Sequence, residues 1–105
     1  MRIYENLAAL IGNTPLVRLN RVAADVGADV VAKVERLNPC GSIKDRLAWE
    51  VLTQAEKDGR VNADTVIVEA TTGNTGIGLA FVCAMKGLKL IVTMPECASV
   101  ERRRI

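Results

Sequence analysis

A lysine, Lys44, stands in the first turn of a helix expected to begin Ser42-Ile43-Lys44-Asp45, directly after the turn-forming run Asn38-Pro39-Cys40-Gly41. Ser42 followed three residues later by Asp45 has the spacing of a capping box, which puts the helix's positive end and its unpaired N–H groups close to Lys44. A cation is disfavoured there. A lysine whose ammonium form is destabilised can attack a carbonyl as a free amine, and local rules are most often broken at functional sites. On position alone, an ordinary exposed lysine arching into water accounts for the pattern equally well.

A second segment, Thr71-Thr72-Gly73-Asn74-Thr75-Gly76, offers hydroxyls, an amide and glycines that let the backbone approach a ligand. It lies at an expected helix N-terminus, whose N–H groups favour anions, so it suits a carboxylate or phosphate. A plain glycine turn with Thr75 or Asn74 as helix cap is the competing reading. Gly73, Gly76 and Gly78 lack the G-x-G-x-x-G spacing of a dinucleotide site, and no Lys-Ser/Thr pair follows as in a P-loop. An amine facing an anion cradle suits a substrate or cofactor that carries a carbonyl near a negative group. The chain has no histidine, which removes Ser-His and Cys-His mechanisms and leaves lysine or carboxylates for proton transfer. Cys40, Cys83 and Cys97 are odd in number and widely spaced, which argues against a disulfide framework or zinc site and for reduced thiols. No metal is expected. Cys40 has no base partner in the sequence and reads as a spacer, and Cys83 reads as core.

The elements that must position these groups follow from the hydrophobic pattern. Glu5 to Ile11 suits a short helix, Gly12 to Pro15 a turn, and Leu16 to Leu19 an edge strand. Val30 to Glu35 reads as the first firm strand, Ile43 to Asp58 as an amphipathic helix stopped by Gly59, and Thr65 to Glu69 as a second strand. Ile77 to Lys86 is apolar nearly all round, as a buried helix is, and Gly87 ends it before a third strand over Lys89 to Met94. Strand-helix-strand-helix-strand with short connections indicates an α/β fold, a three-layer unit on a parallel sheet. Ligands bind beyond the carboxyl ends of such strands, where both the Asn38 to Lys44 and Thr71 to Gly76 loops fall.

At 105 residues the chain suits one small domain with one core, and half its residues are apolar with a net charge of +2. That balance demands neither nucleic acid nor membrane. The start, Met1 to Asn6, lacks a signal-peptide apolar run, so a cytoplasmic location is the default expectation.

Three motifs now stand in order: Ile11-Gly12-Asn13-Thr14-Pro15-Leu16-Val17, Asn38-Pro39-Cys40-Gly41-Ser42-Ile43-Lys44-Asp45-Arg46, and Thr71 to Gly76. Together with Met94-Pro95-Glu96 and Ser99-Val100-Glu101-Arg102 they resemble the amino-terminal part of the cysteine synthase (O-acetylserine sulfhydrylase) family over essentially the whole chain. The resemblance implies a pyridoxal-phosphate enzyme of fold type II in which Lys44 forms the Schiff base. It also implies that Thr71, Thr72, Asn74 and Thr75 grip the substrate's α-carboxylate, with Asn74 near the cofactor's 3'-oxygen. The implied reaction replaces the acetate of O-acetylserine with sulfide through an aminoacrylate, giving L-cysteine. A homodimer and docking of serine acetyltransferase belong to the same implication. Asp45 and Arg46 are expected only to cap and support, or to form a solvated pair.

Two departures from the family pattern stand out. Ala70 replaces a common proline, and Thr72 replaces a common serine, keeping the hydroxyl and adding a methyl. The family's chain is also roughly three times longer than a single domain of this size. Its glycine-rich phosphate loop and the residue facing the pyridine nitrogen lie outside these motifs. Residues 1–29 are therefore expected to pack on a second domain, with residues 30–105 forming part of a small α/β domain. Ser99 to Ile105 reads as a helix opening whose Arg102-Arg103-Arg104 run is a charged face. Two other readings remain: an inactive truncated piece or dimerisation module, and a β-replacement enzyme of the cystathionine β-synthase type.

Overall fold

The computed structural model describes residue 1 and residues 3–104. The elements form where apolar spacing and turn chemistry agree. Helix α1, Lys44–Lys57, buries Asp45, Ala48, Leu52 and Ala55, one stripe at helical spacing. Gly59 is left-handed at φ 70° just past its end, and the turn brings the Arg60 N–H back to the Ala55 carbonyl at 2.9 Å. Helix α2, Asn74–Lys86, buries Gly76, Gly78, Leu79, Val82 and Cys83 and is closed by left-handed Gly87.

Strands β3, Val66–Ala70, and β4, Lys89–Thr93, pair in parallel with Val66 opposite Lys89 and Ala70 opposite Thr93. Their inner residues Ile67 and Leu90 pack on a core of Ala48, Leu52, Leu79, Val82 and Cys83, joined by Trp49, Phe81 and Leu88. Val66, Val68 and Ile91 stay exposed, and alternation along the strands sets them on the face opposite Ile67 and Leu90.

The α/β class and the order strand, helix, strand, helix, strand are as expected, but the three strands do not share one sheet. Strand β2, Val31–Lys33, pairs antiparallel with β1, Leu16–Arg18, in a separate two-stranded sheet. The ladder is extended by the Leu19 N–H on the Val30 carbonyl and the Val34 N–H on the Pro15 carbonyl. A partner nearby in sequence is easily reached in antiparallel register, whereas parallel pairing needs a crossover. Beyond Lys33 the chain turns into a 3-10 segment, Glu35–Leu37, leaving β2 three residues long. The first expected helix is likewise a single 3-10 turn, Leu7–Leu10, capped by the Asn6 side chain on the Ala8 N–H.

Helices α1 and α2 lie side by side and run the same way. Gly78 sits against Lys44 near their beginnings, and Lys86 reaches Glu56 at 2.5 Å and the Trp49 ring at 4.7 Å near their ends. Both positive helix ends therefore share one end of the molecule. A short helix α3, Val100–Arg104, closes the described chain; Ile105, in the expected last turn, lies outside the described residues. One tight domain is not what these elements make. The radius of gyration is 17.1 Å, whereas a compact domain of this length has about 13 Å.

Candidate active site

Lys44 is the first residue of α1, and its turn is held from several sides. Its own N–H donates to Ser42 Oγ at 3.1 Å. The expected capping box does not form: the Asp45 carboxylate accepts instead from the Cys40 N–H at 2.6 Å, and Ile43 occupies the cap position. Gly41, left-handed at φ 78°, turns the preceding loop so that Cys40 passes over the helix start. Asp45 is fully buried, and its Oδ1 meets no donor among the described residues. Burial and the nearby Asp45 charge push the Cys40 thiol's pKa up, which suits a spacer rather than a nucleophile. Lys44 itself is half-buried, and its ammonium has no ion pair among the described residues.

The threonine segment is half loop and half helix. Asn74, Thr75 and Gly76, expected in a loop, are the first turn of α2, and Gly73 is the cap residue with no side-chain hydrogen bond. Neither Thr75 nor Asn74 caps. Thr71 Oγ1 accepts from the Gly73 N–H at 3.1 Å, and the Thr71 methyl would lie 2.7 Å from any Cβ at position 76. The Asn74 and Thr75 N–H groups meet no acceptor among the described residues, and Asn74 and Thr72 are exposed. This is the open anion-binding end that a helix N-terminus provides. From α3, Arg102 donates to the Thr72 carbonyl at 2.6 Å.

The two halves converge at Gly78. A Cβ there would stand 2.9 Å from the Lys44 carbonyl oxygen, so the lysine's turn packs one helical turn beyond Asn74. Backbone packing thus sets the starts of α1, with Lys44, and α2, with Asn74 and Thr75, along one rim, and Thr71 and Thr72 directly precede α2 in the chain. A cavity of about 290 Å³ beside this rim is lined by Thr71, Thr72, Gly73, Gly76, Arg102 and apolar residues of α2 and β4, but not by Lys44, Asn74 or Thr75. It is mainly apolar space between α2, β4 and α3, and the unpaired Asn74 and Thr75 amides lie outside its lining.

Arg46 makes far more than a solvated pair. Its Nε and Nη2 grip the two oxygens of Glu35 at 2.7 and 2.9 Å, and Nη2 also donates to the Gly12 carbonyl at 2.9 Å. Glu35 further accepts from Thr14 Oγ1 at 2.7 Å and Asn38 Nδ2 at 2.9 Å. These partners, Arg46 foremost, hold the Glu35 pKa down to about 2. Glu35 carries no chemical motif, and only its charge opposite Arg46 in the sequence could have pointed to it.

A family model for pyridoxal-phosphate dependent enzymes matches residues 7–105, and the chain belongs to that family. It is 52% identical over 101 residues to a cysteine synthase of Staphylococcus aureus, covering 96% of this chain and 33% of that protein. The solved O-acetyl serine sulfhydrylase isoform 3 of Entamoeba histolytica superposes with a TM-score of 0.92 at 42% identity, over 98% of this chain and 32% of that one. A hydrogen sulfide-producing enzyme of Fusobacterium nucleatum gives a TM-score of 0.89 at 46% identity, over 99% and 34%. The chain spans about a third of the length of these relatives. Among the described residues no helix is long and apolar enough to cross a membrane.

Proposed function

We propose that this chain carries the lysine and the carboxylate cradle of a cysteine synthase that replaces the acetate of O-acetyl-L-serine with sulfide. The observation that supports this most directly is the packing of Gly78 on the Lys44 carbonyl, which sets an amine-bearing turn beside an open helix N-terminus. The residues fit pyridoxal phosphate: among the described residues, the lysine that heads α1 has no ion pair and the first backbone donors of α2 meet no acceptor. When bound, the cofactor supplies an electron-withdrawing ring that stabilises negative charge at the substrate's α-carbon.

The chain's own residues do the rest. The Asn74 and Thr75 amides, with the Thr71 and Thr72 hydroxyls, hold the α-carboxylate, and Asn74 also faces the cofactor. As a free amine, Lys44 Nζ accepts the proton from the α-carbon. The β-carbon then loses its bond to the acetate oxygen and gains one to sulfur, so O-acetylserine and hydrogen sulfide become cysteine and acetic acid. Residues 1–29 pack on a second domain of the complete enzyme in this reading, and residues 30–105 belong to its small domain. The enzyme is cytoplasmic and homodimeric, and serine acetyltransferase is its docking partner.

In the alternative reading, an inactive piece or dimerisation module, the chain presents Lys44 and binds carboxylates without completing the reaction. A β-replacement enzyme using homocysteine, as in cystathionine β-synthase, is separated by product analysis with sulfide against homocysteine. The deciding measurement is visible absorbance of the chain mixed with pyridoxal phosphate. A stable band abolished by Lys44→Ala supports the proposal, and weak labelling shared among surface lysines overturns it.

A further inference from the structure

The loop that delivers Lys44 begins at Asn38 and ends in the first turn of α1 at Arg46, and both ends are tied to the same two groups. At the near end, Asn38 Oδ1 accepts from the Gly12 N–H at 2.8 Å while its Nδ2 donates to Glu35 Oε2 at 2.9 Å. At the far end, Arg46 donates to the Gly12 carbonyl at 2.9 Å and to the same Glu35 Oε2 at 2.7 Å. One residue's N–H and C=O and one carboxylate oxygen thus close the loop from outside it.

From this we infer that Gly12, Glu35, Asn38 and Arg46 form a clasp that positions Lys44, so that the lysine's presentation depends on the amino-terminal segment. Besides the clasp, the loop is held by the Asn38 N–H and Nδ2 on the Glu35 carbonyl and by Gly78 against the Lys44 carbonyl. Within it, Gly41 donates to the Asn38 carbonyl at 2.8 Å and Cys40 to Asp45, both bonds internal to the segment. Asn38 is buried, at 4% exposure, while the Glu35 and Arg46 side chains are 20% and 36% exposed, so the clasp is a partly buried polar junction. Gly12 is left-handed at φ 78°, which strains other residues, and a Cβ there would fall 2.5 Å from Arg46 Nη1, so the guanidinium would have to shift from its clasp position. None of the four residues touches the reacting atoms; they act through the backbone of residues 38–46.

The lysine's role rests on the proposed function, so the test uses two readouts. The first is amide hydrogen exchange in the full chain, which needs no cofactor. In Gly12→Ala and Asn38→Ala, exchange at Cys40 to Arg46 is expected to rise roughly tenfold or more while α2 amides keep wild-type rates. Unchanged exchange at Cys40 to Arg46 in both variants overturns the clasp. The second is pyridoxal phosphate labelling trapped by borohydride and mapped by mass spectrometry, on variants whose circular dichroism matches wild type. The Lys44 share of label is expected to fall roughly tenfold, since small misplacements of a reacting group are costly; an unchanged share overturns positioning. Arg46→Lys, which keeps the charge but loses the fork, gives an intermediate share and serves where an alanine variant does not fold. Wild-type chain without preferential Lys44 labelling defeats the proposed function and leaves the exchange result to judge the clasp.

Discussion

The Lys44 carbonyl oxygen lies 2.9 Å from where a Cβ at Gly78 would stand, so the two helices meet backbone to backbone at that point. An added methyl has nowhere to go, because the obstructing atom is main chain. Gly78→Ala gains about 1 kcal/mol of helix propensity and suffers overpacking of about 1–3 kcal/mol. The clash outweighs the gain, and a net loss of stability is expected in urea titrations. A variant as stable as wild type would show that the helices separate freely here.

Glu35 links the fold's stability to acid. Its folded pKa of about 2 is below the unfolded carboxylate value of about 4.3. The carboxylate's contribution is therefore fully present above the unfolded value and disappears as pH falls through the folded one. Between about pH 5 and pH 2 the urea midpoint of wild type is expected to fall towards that of Glu35→Gln. Parallel midpoints for the two proteins across that interval would remove the linkage.

Arg102 braces the threonine segment from α3 by donating to the Thr72 carbonyl. Arg102→Gln removes a cation near the proposed carboxylate site and loosens the hold on that carbonyl. Binding of O-acetylserine, followed by the amide shifts of Asn74 and Thr75, is expected to weaken roughly three- to tenfold. Equal affinities would make the contact incidental.

The thiols should react in order of access. Cys97 is exposed, Cys40 half-buried and Cys83 buried, and burial pushes the pKa of the latter two up. Cys97 is expected to titrate first with a disulfide reagent at neutral pH, and Cys83 only after urea is added. Rapid labelling at Cys83 in native buffer would contradict the packing of α2.

Much of this was legible in the residues. Apolar spacing over Leu47, Ala48, Val51, Leu52 and Ala55, the apolar run of α2 and the glycines at 59 and 87 marked both helices through local rules, although Leu47 and Val51 of that face remain exposed. The lysine and threonine motifs begin neighbouring helices because α1 and α2 pack side by side in the same direction, and not because they share a sheet edge. What could not be read was partner choice. Nothing local told β2 to pair with β1 instead of joining the parallel sheet. Asn74 to Gly76 read as loop because asparagine, threonine and glycine are weak helix formers, and packing on α1 overrode them. The Arg46 link to Gly12 spans 34 positions, and no periodicity announces such a bond.

The bare side of β3 and β4 governs how the isolated polypeptide is handled. Val66, Val68 and Ile91 offer solvent a flat greasy strip, and salting-out agents such as sulfate strengthen attraction between strips of that kind. Purification is expected to succeed in dilute, sulfate-free buffers, with light scattering climbing as either concentration or sulfate is raised.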